Sequence, residues 1–323
     1  MSLSQDDLAW FGERFATITS NIERAIQGKR HTIELVVSSL VAEGHVLIED
    51  VPGVGKTLLA KALARSIDSS FQRIQVTPDL LPTDVTGVSV WDRERSTFTF
   101  RPGPVFANVV LGDEINRASP KTQAALLEAM EERQVTIDGE THVLAEPFIV
   151  VATQNPIEHE GTYPLPEAQL DRFMMRVTMG YPERAKELEM LQTHGGGTNS
   201  VQLEAVVHAE DVVRMSGIAR SVHVADVLQG YLIDIAEATR THPDVLLGAS
   251  PRATLVLQRA ARAIAAADGR DYASPDDVKS ILVPVLNHRL VGRPDAQMRG
   301  TTVMDVLDEV MATVAVPGTR VNA

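Results

Sequence analysis

The most informative stretch for the fold is Val46-Leu47-Ile48-Glu49-Asp50-Val51-Pro52-Gly53-Val54-Gly55-Lys56-Thr57. Its leading apolar residues are typical of a buried strand, and the run Leu58-Leu59-Ala60-Lys61-Ala62-Leu63 that follows is typical of a helix. A strand, a glycine loop, Lys-Thr and a helix, in this order, are the parts of a phosphate-binding loop. The glycines let backbone N–H groups converge on phosphate oxygens, and the helix N-terminus adds a favourable dipole.

This loop predicts the contacts to a nucleotide. Lys56 would place its charge on the β- and γ-phosphates, and the Thr57 hydroxyl would bind Mg²⁺. Asp50 stands where the strict pattern has Gly, but Asp tolerates left-handed and turn conformations, so we expect the loop to survive. A Gly-Pro turn with a solvated Lys is the alternative interpretation. The expected nucleotide-binding residues are Asp50, Val51, Pro52, Gly53, Val54, Gly55, Lys56, Thr57 and Leu58.

A second candidate strand, Val109-Val110-Leu111, runs through Gly112 into two acids, Asp113 and Glu114. Ligands of doubly wound sheets bind beyond the carboxyl ends of the strands. Asp113 is therefore suited to hold Mg²⁺, and Glu114 is suited to polarise an attacking water as general base. A pair of solvated acids opening a loop is the alternative, but the pairing with the Lys56-Thr57 site in a matching α/β order favours a nucleotide site.

Three later residues have side chains that suit a γ-phosphate. Asn155, after the candidate strand Phe148-Ile149-Val150-Val151, fits a hydrogen bond to that phosphate and equally a turn before a proline. Arg172 fits an arginine finger that reaches a neighbour's nucleotide, or a surface charge. Arg252 follows Ser250-Pro251 at a predicted helix start, where the dipole disfavours cations, so a bound phosphate or a local acid would explain it.

The chain divides near Tyr181. In residues 1–180, strands alternate with helical segments after an N-terminal helix, which predicts a nucleotide-binding domain with a parallel α/β sheet. In residues 181–323, helical periodicity predicts a smaller all-α domain. Ser-Pro pairs at positions 119, 250 and 274 predict three helix starts. Two hairpin insertions are predicted, one turning at Asp138-Gly139 and one containing Thr97-Phe98-Thr99-Phe100.

The composition and charge of the chain argue against several classes of protein. The net charge is −13, and no run of Lys or Arg occurs, which makes nucleic acid an unexpected partner. No stretch approaches the roughly 20 apolar residues of a membrane helix. The absence of cysteine excludes disulfides, thiolate zinc sites and cysteine nucleophiles. The acidic first residues, Met1-Ser2-Leu3-Ser4-Gln5-Asp6-Asp7, do not resemble a secretory signal, and we expect a cytoplasmic location.

Taken together, these segments resemble the MoxR branch of the AAA+ ATPases over nearly the whole chain. The segments that carry the resemblance, in order, are Glu49–Thr57, Gly112–Ala118, Lys121–Met130, Ala152–Pro156, Gly161–Phe173 and Gly248–Ala253.

The resemblance implies an AAA+ P-loop core followed by a helical lid domain, and ATP and Mg²⁺ as cofactors. It implies that Asp50 is compatible with nucleotide binding, that Asn155 is sensor 1, that Arg172 is the arginine finger and that Arg252 is sensor 2. The insertions would be the helix-2 insert and the pre-sensor hairpin. It further implies a homo-oligomeric ring, usually hexameric, chaperone-like remodelling of protein clients, and a von Willebrand A-domain partner.

Four functions remain open on the sequence. The leading one is an ATPase that remodels, matures or activates a partner complex. The alternatives are the ATPase subunit of a magnesium chelatase-like metal-insertion machine, a nucleic-acid motor, and a scaffold that binds ATP without turning it over. The lack of a basic groove argues against the motor, and the intact Glu114 argues against the scaffold.

Overall fold

The computed structural model describes residues 3–94, 96–156, 162–182, 184–188 and 203–317. Gly161, the first residue of one motif above, lies outside the described residues. The chain forms two compact units. The sheet unit comprises Thr17–Leu165 and Val177–Val213, and the helical unit comprises Met1–Ala16, Pro166–Arg176 and Arg214–Ala323. The domain boundary near residue 180 stays a prediction.

The described helices and strands follow one another as the alternating pattern requires. The helices are α1 (Gln5–Ala25), α2 (Arg30–Val41), α3 (Lys56–Ser66), α4 (Pro82–Thr86), α5 (Pro120–Glu132), α6 (Glu167–Leu170), α7 (184–188), α8 (Ala209–Ser221), α9 (Asp226–Thr241), α10 (Pro251–Ala267), α11 (Pro275–Leu286), α12 (Pro294–Met298) and α13 (Val303–Thr313). The strands are β1 (Val46–Glu49), β2 (Phe71–Gln75), β3 (Gly87–Asp92), β4 (Thr97–Pro102), β5 (Val109–Asp113), β6 (Gln134–Ile137), β7 (Glu140–Val143), β8 (Ile149–Gln154), β9 (Met175–Val177), β10 (Val245–Leu247) and β11 (Val291–Gly292). Short 3-10 turns span Pro104–Phe106 and Ile115–Arg117.

A five-stranded sheet in the order β2-β5-β8-β1-β9 forms the core of the nucleotide-binding fold. The neighbours β2 and β5, β5 and β8, and β8 and β1 pair in parallel. The three candidate strands of the sequence are confirmed as β1, β5 and β8, whose apolar residues are fully buried. Fully buried strands read as continuous apolar runs, which is why these three were predictable.

The parallel register aligns the carboxyl ends of the central strands. Gly112 of β5 lies opposite Ala152 of β8. Ile48 of β1 lies opposite Thr153 of β8. The residues that follow these strands therefore emerge at one edge of the sheet, where ligands of such folds bind.

Each Ser-Pro pair starts a helix, as predicted. The hydroxyls of Ser119, Ser250 and Ser274 accept hydrogen bonds from the backbone N–H groups of the third helical residues of α5, α10 and α11. Proline occupies the first helical position in all three, where its missing N–H leaves no bond unmade. These caps set the first residues of α10, among them Arg252.

Both predicted insertions are antiparallel hairpins in the sheet unit. β6 pairs with β7 around Asp138 and Gly139, which adopt φ values of 51° and 84° as a tight hairpin turn requires. β3 pairs with β4, and Trp91 of β3 packs edge-to-face on Phe98 of β4.

The predicted helical lid is confirmed in the helical unit. There α10 packs against α9 and α11, and α13 packs against α9 and α11. One addition was not predicted, a two-stranded ribbon of β10 and β11. Across the described ranges of the chain, every helix is too short or too polar to cross a membrane.

Candidate nucleotide-binding site

The predicted phosphate loop connects β1 to the first residue of α3, Lys56. Gly53 and Gly55 adopt φ values of 87° and 98°, a left-handed conformation that side chains disfavour. The N–H groups of the first turn of α3 have no partners inside the helix, so they and the helix dipole favour an anion at this end. The backbone therefore has the form that the glycine pattern predicts.

Lys56, at the end of the loop, binds the backbone at its start. Its Nζ donates to the carbonyl oxygen of Asp50 at 2.6 Å, so the ammonium lies under the loop rather than in solvent. The expected contact residues Val51, Pro52, Gly53 and Val54 lie between these two ends, with Pro52 and Gly53 exposed. Leu58 follows on α3 and is 47% exposed.

Asp50 holds the loop by its side chain. One carboxylate oxygen accepts from the N–H of Val51 at 2.8 Å, and the other accepts from the N–H groups of Met179 and Gly180 at 2.7 and 2.6 Å. Among the described residues, those with positive φ do not include Asp50. The loop forms with an acid at this position, as expected, and it is the hydrogen bonding of the side chain, not a left-handed backbone, that suits Asp50 to it. The N–H of Asp50 also donates to Gln154 at 3.2 Å, which ties the loop to β8.

Asp113, the last residue of β5, is buried and held by two side chains. Its Oδ1 accepts from the Thr153 hydroxyl at 2.7 Å. Its Oδ2 accepts from Nε and Nη2 of Arg73 on β2 at 3.0 and 2.5 Å. Arg73 also donates a short bond to Gln75. The carboxylate is thus oriented at the edge of the sheet.

Glu114 has a strained backbone, with φ 61° and ψ 52°. A left-handed conformation costs a non-glycine residue roughly 1–2 kcal/mol, and such residues cluster at functional sites. The N–H of Glu114 donates to the Thr153 hydroxyl at 2.9 Å, and Arg117 donates to its carboxylate at 3.0 Å. One hydroxyl, that of Thr153, therefore bonds to both acidic residues.

Sequence reasoning missed Arg73 and Thr153 as functional residues. Thr153 belongs to the Thr153-Gln154-Asn155 segment that ends β8, and its position at the strand end was the available signal. Arg73 carried no signal, because β2 is mostly exposed and only Ile74 in it is buried. Its role emerges from the pairing of β2 with β5.

Asn155 lies one residue beyond β8 and is 5% exposed. Since β8 lies between β5 and β1, Asn155 emerges from the strand between those that lead to Asp113 and to the loop. The structure thus brings the residue after β8, the acids after β5 and the loop after β1 to a common edge, and α3 packs against β5.

The oxygen donors at this edge fit Mg²⁺. Thr57, the second residue of α3, offers a hydroxyl, and Asp113 offers a carboxylate. Mg²⁺ in nucleotide sites is bound by one or two such oxygens together with phosphates and waters. Over the described part of the chain, His, Asp and Glu side chains form no cluster of three or more suited to a metal. Mg²⁺ bound with a nucleotide requires no such cluster.

Arg172 and Arg252 belong to the helical unit. Arg172 lies in the turn after α6, where its N–H donates to Gln169 at 3.2 Å. Arg252 is the second residue of α10, the helix start that the sequence predicted. Burial lowers the pKa of Arg289, and the positive charge of Arg252 lowers it further.

Comparisons with known proteins agree with this geometry. Residues 45–175 match the model of the ATPase family associated with various cellular activities (AAA), and residues 237–310 match the AAA lid domain. The chain is 49% identical to the uncharacterized protein YeaC of Bacillus subtilis, covering 93% of this chain and 94% of that protein. It is 43% identical to Chaperone MoxR1 of Mycobacterium tuberculosis, covering 94% and 81%.

A solved structure is similar along nearly its full length. The crystal structure of a candidate ATPase from Cytophaga hutchinsonii is 36% identical and superposes with a TM-score of 0.89, covering 96% of this chain and 97% of the other.

Proposed function

This chain belongs to the MoxR family of AAA+ ATPases and is itself an ATPase, and from that premise we propose that Mg²⁺-dependent ATP hydrolysis drives remodelling of a partner protein complex. The observation that carries the Mg²⁺ dependence is the pair of acids Asp113 and Glu114, which share the Thr153 hydroxyl. Asp113 would bind the Mg²⁺ ion and Glu114 would activate the attacking water, the two roles that hydrolysis requires.

The loop and the acids divide the chemistry. Lys56 would bind the β- and γ-phosphates, while the loop N–H groups between Asp50 and Lys56 would donate to phosphate oxygens. Thr57 and Asp113 would hold Mg²⁺, which when bound neutralises phosphate charge. Glu114 would accept the proton of the attacking water, and Asn155 would orient that water towards the γ-phosphate. The Thr153 hydroxyl supports this assignment because it holds the Asp113 carboxylate and the backbone of Glu114 at once.

The two arginines of the helical unit would stabilise the charge of the transition state. We assign Arg172 to the nucleotide of a neighbouring protomer and Arg252, as sensor 2, to the phosphates of a bound nucleotide. A finger that acts on a neighbour requires an assembly, so the proposal includes a homo-oligomeric ring, hexameric as is usual in the family. Mixing Arg172→Ala with Lys56→Ala protomers should restore part of the activity that each lacks alone.

The partners are proteins in this proposal. The relative named as a chaperone supports protein clients. We extend this to a von Willebrand A-domain partner and a cytoplasmic location. Stimulation of phosphate release by DNA or RNA would favour a nucleic-acid motor instead, and co-purification with a chelatase subunit would favour metal insertion.

Two variants separate binding from hydrolysis. Lys56→Ala removes the ammonium and should weaken ATP binding about a hundredfold or more, whereas Glu114→Gln should bind ATP normally and release phosphate about a hundredfold more slowly. Lys121→Ala and Glu128→Gln, exposed on α5, are the matched controls. Calorimetry with MgATP and a phosphate-release assay measure the two effects.

Each outcome has a distinct meaning. Unchanged ATP affinity in Lys56→Ala would reject the phosphate role of the loop, and normal turnover in Glu114→Gln would reject the base. If both variants behave as expected, Glu114→Gln loaded with ATP becomes a trap for clients. Proteins that co-purify with Glu114→Gln and not with Lys56→Ala are then the clients of the ATP-bound state.

A further inference from the structure

Arg289 is a buried cation in the helical unit, in the segment that follows α11. Its side chain is 2% exposed, yet it carries a guanidinium. A buried charge is tolerated only when it is paired and its donors are satisfied. Most of the hydrogen bonds of this cation go to the turn that contains Arg172.

The guanidinium binds the chain on both sides of Arg172. Nε donates to Oδ1 of Asp171 at 2.6 Å, and Nη2 donates to the Asp171 carbonyl at 3.0 Å. Nη2 also donates to the carbonyl of Phe173 at 2.6 Å, and Nη1 donates to that of Met174 at 3.1 Å. The residues immediately before and after Arg172 are thus held by one rigid, planar group.

Asp171 extends the connection to the helix that carries Arg252. Its second oxygen, Oδ2, accepts from the Ser250 hydroxyl at 3.2 Å. The same hydroxyl caps α10 by accepting from the N–H of Ala253 at 3.1 Å. Arg252 lies between these two residues, so the carboxylate of Asp171 joins the turn of Arg172 to the first turn of α10.

We infer that Asp171 and Arg289 are positioning residues that hold Arg172 and Arg252 as one element, so that the action of Arg172 on a nucleotide depends on the Asp171 carboxylate. This inference rests on the proposed function, in which Arg172 acts on ATP. The pKa of Arg289 fits the arrangement: burial lowers it, while the hydrogen bond and charge of Asp171 raise it. Neither residue touches the nucleotide in this assignment.

The helical unit offers a matched control for Asp171. The side chain of Asp277 is 4% exposed, against 21% for that of Asp171. Asp277 accepts from an arginine, Arg270, at 2.5 and 2.8 Å, and from the hydroxyl of a helix cap, Ser274, at 2.8 Å. The two acids therefore have the same kinds of partner in the same unit, but the partners of Asp277 belong to a different helix cap, that of α11. Substituting either acid by Asn removes the charge and keeps the shape.

The test is a double-mutant cycle on kcat. Arg172→Ala is made in wild type, in Asp171→Asn and in Asp277→Asn, with assembly and MgATP affinity checked for each protein. We expect Arg172→Ala to cost about a hundredfold or more in wild type and in Asp277→Asn, but less than about threefold in Asp171→Asn, since neighbours that act together are not additive. Asp171→Asn alone should lower kcat at least about thirtyfold, with ATP affinity nearly unchanged.

Equal costs of Arg172→Ala in the two Asn backgrounds would overturn the inference, because an acid that only stabilises the fold gives additive effects. If Asp171→Asn does not fold, Ser250→Ala repeats the cycle with Ser274→Ala as its control, and Ser250→Thr should restore the wild-type pattern. A wild type without phosphate release, or an Arg172→Ala without effect, rejects the proposed function itself and the inference with it. An effective Arg172→Ala with an additive cycle rejects only the inference.

Discussion

The sheet edge and the helical unit hold their key carboxylates by different means. Asp113 at the sheet edge is paired with Arg73, whose side chain is 44% exposed, and with the hydroxyl of Thr153. Asp171 in the helical unit is paired with Arg289, whose side chain is 2% exposed. Both acids bind an arginine at short distance, so the difference lies in the solvent around the pair.

This difference decides what each acid can do. An exposed ion pair contributes about 0–1 kcal/mol, because water competes for both partners, and a ligand can replace it at little cost. Removing one partner of a buried pair costs about 3–5 kcal/mol, because the other charge remains in a medium that cannot solvate it. Asp113 can therefore exchange Arg73 for a divalent cation, whereas Asp171 is suited to hold a fixed geometry.

The largest effect is expected from breaking the buried pair. Arg289→Met should lower the free energy of unfolding by about 3–5 kcal/mol, since Oδ1 of Asp171 and the carbonyls of Asp171 and Met174 would all lose their donor. Arg299→Met is the control, because its pairs with Asp244 and Asp295 are in the same unit and its side chain is 56% exposed. Denaturant unfolding measures both. A loss below about 1 kcal/mol in Arg289→Met would show that burial does not distinguish the two pairs.

An intermediate effect is expected from the hydroxyl shared by the two acids. Thr153→Val keeps the shape of the side chain but removes the hydrogen bonds that Thr153 makes to Oδ1 of Asp113 and to the N–H of Glu114, a loss of about 1–2 kcal/mol. We expect this as roughly a tenfold lower kcat with ATP affinity little changed, measured by steady-state phosphate release and calorimetry. Thr153→Ser keeps the hydroxyl and should behave as wild type. Full activity in Thr153→Val would show that the Thr153 hydroxyl has no role in hydrolysis.

The smallest effect is expected from the exposed pair. Arg73→Gln should change the free energy of unfolding by less than about 1 kcal/mol and lower the Mg²⁺ concentration for half-maximal hydrolysis by up to about threefold, because Asp113 loses a competing cation. Arg65→Gln, exposed on α3, serves as control. Titration of Mg²⁺ at saturating ATP measures the change. A higher Mg²⁺ requirement would mean that Arg73 positions Asp113 and does not compete.

The strands of the sheet were predictable from the sequence where all their apolar residues are buried. β1, β5 and β8 lie in the middle of the sheet and read as apolar runs, and each Ser-Pro pair marks a helix start through local bonds alone. β2 and β9 lie at the edges of the sheet and were not predicted, because β2 has one buried residue and β9 has three residues in all. The ribbon of β10 and β11 is also too short for a periodic signal.

The candidate site divides in the same way. The types of group and their order were predictable from the sequence: a glycine loop with Lys56, two acids after one strand and Asn155 after the next. These depend on spacing along the chain, which a reader of the sequence can count. The folded chain was needed to show that Thr153 bonds to both Asp113 and Glu114, and that Arg289 binds Asp171, 118 positions away. A hydrogen bond depends on distance in space, and for residues so far apart in the chain that distance is set by packing.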